Sequence, residues 1–315
     1  MRIALNSFAA ALALAVPVAA QEAPKVAPSP GEIVAVAPAS HWVAIAAADL
    51  LVMTLAPDRA GTKRQVVIQL MPPPFSQGWV GNIRKLAAAH WWDGLAITRV
   101  QDNYVVQWGD PDAEDRAKAK ALPAGLGVMP SGAYVAPAPA GLGQSRFVNF
   151  SAYSDAFDDL VKGWPVGIDQ DETMAPVHCY GMVGVGRNYS PDTGSGAELY
   201  TVIGHAPRHL DRNIALVGRV LEGIEHLSSL PRGTGPLGFY EKAEQRTPIQ
   251  SIRLASELPA AEQPKFQYLS TESASFAKYA DARANRRDPF FIVPAGGADI
   301  CNIPVPIRRV PVSAK

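Results

Sequence analysis

The stretch Ile97-Thr98-Arg99-Val100-Gln101-Asp102-Asn103-Tyr104-Val105-Val106-Gln107-Trp108-Gly109-Asp110-Pro111 limits the fold more than any other part of this chain. β-Branched and aromatic residues flank a polar bend, which predicts two short antiparallel strands joined by a turn over Gln101–Asn103. Directly opposed residues in such a ladder share a face. That turn sets Arg99 opposite Val105 and Ile97 opposite Gln107. Arg99, Val105 and Gln107 then lie on one surface, with Tyr104 at its rim. A guanidinium, a carboxamide and apolar side chains on one rigid strand pair suit an extended peptide better than a metal ion or a phosphate.

Further along, Gly181-Met182-Val183-Gly184-Val185-Gly186-Arg187-Asn188 precedes Gly194-Ser195-Gly196-Ala197-Glu198-Leu199-Tyr200-Thr201. Gly204-His205-Ala206-Pro207-Arg208-His209-Leu210-Asp211 and Val217-Gly218-Arg219-Val220 follow. With the hairpin, these blocks resemble, in order and spacing, the signatures of cyclophilin-type peptidyl-prolyl isomerases over roughly residues 50–258. The resemblance implies a mainly-β fold, a closed antiparallel β-barrel capped by two helices. It implies Arg99, Gln107 and Tyr104 as catalytic residues. Substrate contacts would come from Val105, Gly186, Arg187, Asn188, Glu198, Tyr200, His209, Leu210 and Ile214. Several of these depart from the family pattern: Tyr104 and Val105 replace a usual Phe and Met, Glu198 a usual Gln, His209 a Trp found in some members, and Ile214 a His or Tyr. Glu198 places a carboxylate where it would pair with Arg99 and weaken it.

The chemistry fits residues of this type. Rotation about an X–Pro bond crosses a barrier of roughly 18–20 kcal/mol because the C–N bond has double-bond character. Twisting breaks that conjugation and returns a lone pair to the proline nitrogen. A donor aimed there stabilises the twisted amide selectively, and each roughly 1.4 kcal/mol of selectivity gives a tenfold rate gain. Arginine suits the task because it stays charged and presents a rigid fork of donors. No cofactor or metal is required. Two functional readings remain open: an isomerase, and a cyclophilin-like module that holds proline-containing segments with faded catalysis.

Charge narrows the partners. With 29 basic and 29 acidic side chains, the chain offers no electrostatic case for nucleic acid or an anionic membrane. The expected partners are proline-containing segments of exported or unfolded proteins, bound by a monomer. Met1-Arg2, the apolar run Phe8–Ala20 and the small residues Val18-Ala19-Ala20 read as a signal peptide over residues 1–20, cleaved before Gln21. The run is too short for a comfortable membrane span, so no stable membrane insertion is expected, and the mature chain is read as periplasmic or secreted. Cys179 and Cys301 are the two cysteines; in an oxidising compartment they can pair, and two buried thiols are the equal alternative. His205 and His209 lie four apart, but Pro207 between them argues against a metal-binding helix.

The remaining organisation follows from pattern. Residues 21–40, rich in Pro, Ala and Val, read as a linker. The isomerase-like domain spans 41–260 with an enlarged insert over about 112–177, and 261–315 forms a C-terminal extension. Strands are predicted at 50–55, 65–71, 146–153 and 248–258. Helices are predicted at 76–90 with Ser76 as N-cap, at 154–163 capped by Ser154, at 221–230 and at 271–286. Residues 123–143 read as loop and 289–310 as an extended tail.

Overall fold

The structure is a computed structural model that describes residues 26–142, 148 and 151–310. The signal segment 1–20 and half of the strand expected at 146–153 lie outside the described residues; of the other half, Val148 makes an isolated bridge to Ala298 and 151–153 form no strand.

The strand-length apolar runs close on one another. In chain order they are β1 (Leu50–Leu55), β2 (Arg64–Leu70), β3 (Ala96–Val100), β4 (Val105–Gly109), β5 (Met182–Val185), β6 (Leu199–Val202), β7 (Leu216–Glu222) and β8 (Thr247–Leu254). Around the barrel the order is β5-β6-β4-β3-β8-β1-β2-β7, with β7 returning to β5 and every pair antiparallel. Side chains fill a barrel of this size. Leu51, Met53, Val66, Ile68, Ile97, Val106, Trp108, Val183 and Val185 belong to one buried cluster. The alternate residues Leu50, Val52 and Val67 are buried as well, in a second cluster with Ile45, Ala255 and Phe266. That second burial explains why β1 and β2 read as continuous apolar runs rather than alternating ones: the outer face of this pair is covered.

The cover comes from both ends of the described chain. Trp42–Ala44, Phe266–Leu269 and Ile307–Arg309 form a three-stranded sheet. The expected linker is structured over α1 (Pro30–Ala35), which packs on the helix Ala274–Ala284. Ser29 and Glu32 form a capping box: the Ser29 N–H donates to the Glu32 carboxylate at 2.7 Å and the Glu32 N–H donates to Ser29 Oγ at 3.3 Å. Proline at the first helical position starts a helix here, where composition alone reads as linker.

α2 (Gln77–Ala88) packs on β8 and β7 and buries Trp79, Val80, Ile83, Leu86 and Ala87. Ser76 sits at its N-cap position at φ 51° with no capping hydrogen bond from its side chain, contrary to expectation. The helix stops where His90 turns left-handed and the Trp91 N–H donates to the Leu86 carbonyl at 2.9 Å. The second expected cap, 221–230, shrinks to the single turn α3 (Glu225–Ser228), because Leu221 and Glu222 complete β7. α4 (Ala274–Ala284) forms as predicted, with Ser273 Oγ accepting from the Phe276 N–H at 3.1 Å.

The insert is β rather than helical. Residues 154–163 lead into a hairpin, Phe157–Val161 against Trp164–Ile168, turned by Lys162 and Gly163, both at positive φ. Thr173–Pro176 and Ala136–Pro137 extend it to four strands, so the expected loop 123–143 contributes one of them. Ser154 caps nothing; its hydroxyl donates to Asp158 Oδ1 at 2.8 Å. Cys179 and Cys301 are joined as a disulfide, which ties the C-terminal tail to the start of β5.

Candidate active site

The hairpin forms, in a different register. Arg99 opposes Gln107 and Val100 opposes Val106, whereas Ile97 opposes Trp108. The turn is one residue longer on the β4 side, with Asn103 at φ 49°, and an extra residue at Thr98 makes a bulge. The Arg99 pairing slips by two residues from expectation, which preserves its face. Arg99, Val105 and Gln107 therefore still line one surface, while the bulge sends Ile97 into the core.

That surface is one wall of a cleft of about 990 Å³. Arg99, Tyr104, Val105, Gln107, Gly186, Arg187, Asn188, Glu198, Tyr200, Leu210 and Ile214 all line it. His209 does not: on the tight turn Arg208–Leu210, Arg208 is buried, Leu210 meets the cleft and His209 is left exposed. Val105, Tyr200 and Val202 form a small buried cluster against Tyr104 and Ile214, an apolar pocket beside the guanidinium. α2 braces the far side: the Trp79 indole N–H donates to the Thr193 and Gly194 carbonyls at 3.0 Å, and Asn82 Nδ2 donates to the Ser195 carbonyl at 2.9 Å.

Arg99 is held from three directions. Nε donates to the Leu237 carbonyl at 2.7 Å, Nη1 donates to Gln107 Oε1 at 3.3 Å, and Nη2 donates to Gln101 Oε1. Its guanidinium lies 5.5 and 5.4 Å from the ring centres of Tyr104 and Phe239. Burial lowers the Arg99 pKa, yet an arginine remains a cation at neutral pH. Three of its five N–H groups serve these partners, which leaves donors for a substrate.

Glu198 takes another partner than the expected one. Its Oε1 accepts the Asp110 backbone N–H at 2.8 Å, and no ion pair joins it to Arg99 among the described residues. Gln107, the acceptor of Arg99 Nη1, and the Asp110 N–H both favour the ionised Glu198 carboxyl. Burial, opposed by these hydrogen bonds, pushes the Glu198 carboxyl up to about 7. The close approach needs Gly109, where a Cβ would lie 2.0 Å from Glu198 Oε1. The Gly186 N–H donates to the Glu198 carbonyl at 2.8 Å and the Asn188 N–H to Asp192 Oδ2 at 2.8 Å, so both amides are spent inside the protein.

Three features of the site were not among the predicted residues. Leu237 and Phe239, on the loop after α3, close over Arg99. Ala113, Glu114, Ala119, Lys120 and Leu122 of the insert also line the cleft. His178 lies fully buried under Tyr200.

The model of the family described as cyclophilin type peptidyl-prolyl cis-trans isomerase/CLD matches residues 65–255, more than half of the chain. The chain belongs to that family. It is thus a cyclophilin-type isomerase with a barrel of the expected kind. Among solved structures, cyclophilin AquaCyp293 from Hirschia baltica is similar in fold, with a TM-score of 0.63 at 19% identity, over 85% of this chain and 93% of that one. A Cryptosporidium parvum cyclophilin crystallised in the presence of the dipeptide Ala-Pro aligns at a TM-score of 0.37 and 11% identity, over 64% of this chain and 98% of that one. No curated protein matches the sequence.

Proposed function

We propose that this cyclophilin isomerises X–Pro bonds in proline-containing segments of exported proteins, with Arg99 stabilising the twisted amide. The observation that carries the reading is the placement of a partly engaged guanidinium at the edge of the apolar pocket built by Val105, Tyr200 and Ile214. A proline ring seated there brings its nitrogen toward Arg99, and Gln107 orients both the arginine and the backbone of the bound chain. The guanidinium strengthens as an interaction only when the amide twists and its nitrogen becomes an acceptor. An exported setting is supported by the signal-like N-terminal sequence and by the Cys179–Cys301 bridge.

Isomerisation of a short X–Pro peptide by the purified chain tests this. Arg99→Ala removes a transition-state donor and lowers kcat/KM by about 10²–10³-fold. Equal rates for the two proteins refute the assigned role. The engagement of Arg99 by Gln101, Gln107 and Leu237 favours a second reading, a peptide-holding module. Exchange measurements on a bound peptide separate the two, since a pure holder leaves the cis–trans rate unchanged.

A further inference from the structure

Beneath the proline pocket runs a buried polar chain for which the twisting of an amide has no direct use. Tyr200 lines the cleft, but its hydroxyl lies 2.8 Å from Nε2 of His178, a residue with no exposed surface. His178 Nδ1 lies 2.7 Å from Asp211 Oδ1, which also accepts the His178 backbone N–H at 2.9 Å. Asp211 Oδ2 accepts from Arg208 Nε at 2.5 Å, and the Arg208 fork donates to Asp158 on the insert hairpin at 2.9 and 3.2 Å. The line therefore crosses from the insert to the floor of the pocket.

The roles along it are fixed by chemistry. A carboxylate only accepts, so the imidazole proton sits on Nδ1 and Nε2 is an acceptor. Burial keeps the ring neutral, holding the His178 pKa below its ordinary value. The Tyr200 hydroxyl then donates inward. Gly184 pairs directly with Tyr200 across β5 and β6, and a Cβ there would lie 2.3 Å from the Tyr200 hydroxyl oxygen. Space for that hydroxyl is thus provided by a glycine and its partner by a histidine. Without His178, the hydroxyl would lose its buried acceptor, which is unfavourable, and the ring would tilt toward water in the cleft.

We propose that His178, oriented by Asp211 and Arg208, is a positioning residue for proline binding: it anchors the Tyr200 hydroxyl inside the barrel so that the ring forms a fixed apolar floor. This rests on reading the cleft as an X–Pro site. It also gives the insert a task, since Asp158 holds the outer end of the line.

A double-mutant cycle on the full chain tests the proposal, with His178→Leu, Tyr200→Phe and the pair, using a proline peptide and reading kcat, KM and peptide Kd separately. His178→Leu is expected to raise KM and Kd about tenfold while kcat changes less. In the Tyr200→Phe background, which has no hydroxyl to anchor, the same substitution changes KM and Kd less than twofold. Equal losses in both backgrounds, or no loss in a folded His178→Leu protein, overturn it. If leucine prevents folding, as read by near-ultraviolet circular dichroism, His178→Phe, which keeps a ring but offers no acceptor, replaces it in the cycle under the same criterion. Nitrogen NMR of the wild-type imidazole adds a check that needs no variant: a proton on Nε2 instead of Nδ1 overturns the proposal. Should the wild type lack turnover, the isomerase reading fails, while the Kd values still decide this one.

Discussion

Glu198→Gln isolates the energetic effect of a carboxyl group enclosed in the cleft wall. The Asp110 N–H that Glu198 Oε1 accepts can be accepted equally by a glutamine carbonyl, so the substitution keeps the shape and the hydrogen bond while deleting the charge. Folding raises the Glu198 carboxyl from 4.5 to about 7, chiefly by burial. At about 1.36 kcal/mol per pH unit, that favours the protonated native state by about 3 kcal/mol. The unfolded chain ionises first as pH rises, so this stability is fully present below about pH 4.5 and is lost as pH climbs through 7. Glutamine cannot ionise and escapes the loss. Urea unfolding at pH 4.5, 6 and 8 should therefore show wild type and variant alike at the acidic end. At pH 8 the variant should be more stable by up to about 3 kcal/mol, with unchanged m. A difference that is flat across this range, or that grows toward acid, refutes the argument.

Other perturbations reach different parts of the molecule. Arg208→Ala leaves Asp158 and Asp211 buried without their counter-charge and should cost about 3–5 kcal/mol in urea unfolding; a loss below 1 kcal/mol would mean water takes over the guanidinium's place. Cys301→Ser opens a link spanning 122 residues and should lower stability by up to about 5 kcal/mol on the loop-entropy argument, with reductant having no further effect on the variant. Phe239→Ala removes one of the two rings that contact the Arg99 guanidinium, and a cation–π contact of about 0.5–1 kcal/mol predicts a two- to fivefold fall in kcat/KM. An unchanged value would remove Phe239 from the site.

How much of this was readable in advance depended on whether the cause was local. The strand pair around Asn103 announced itself, because alternation and a left-handed-tolerant turn residue are written into adjacent positions. The bulge at Thr98 was not, since it is set by how β3 meets its neighbours on the barrel. The pocket residues came from ordered motifs, and a slip of two residues spared them because side-chain direction repeats every second residue. Residues 154–163 misled because Ser154 followed by apolar spacing also describes a hairpin whose turn is Lys162-Gly163. Loop residues such as Leu237, Phe239 and Leu122 carry no periodic signal at all. His178 acquired meaning only when Tyr200 and Asp211, distant in sequence, met it.

The three-stranded sheet at the barrel's flank has a consequence for biosynthesis. Trp42 pairs with Leu269, α1 rests on α4, and Cys179 waits for Cys301. The earliest described segments thus have no mates while the ribosome is still at work, and the outer surface of Leu50, Val52 and Val67 lacks Ala255 and Phe266 until those residues emerge. An enzyme proposed to help other polypeptides mature would thus complete its own fold late.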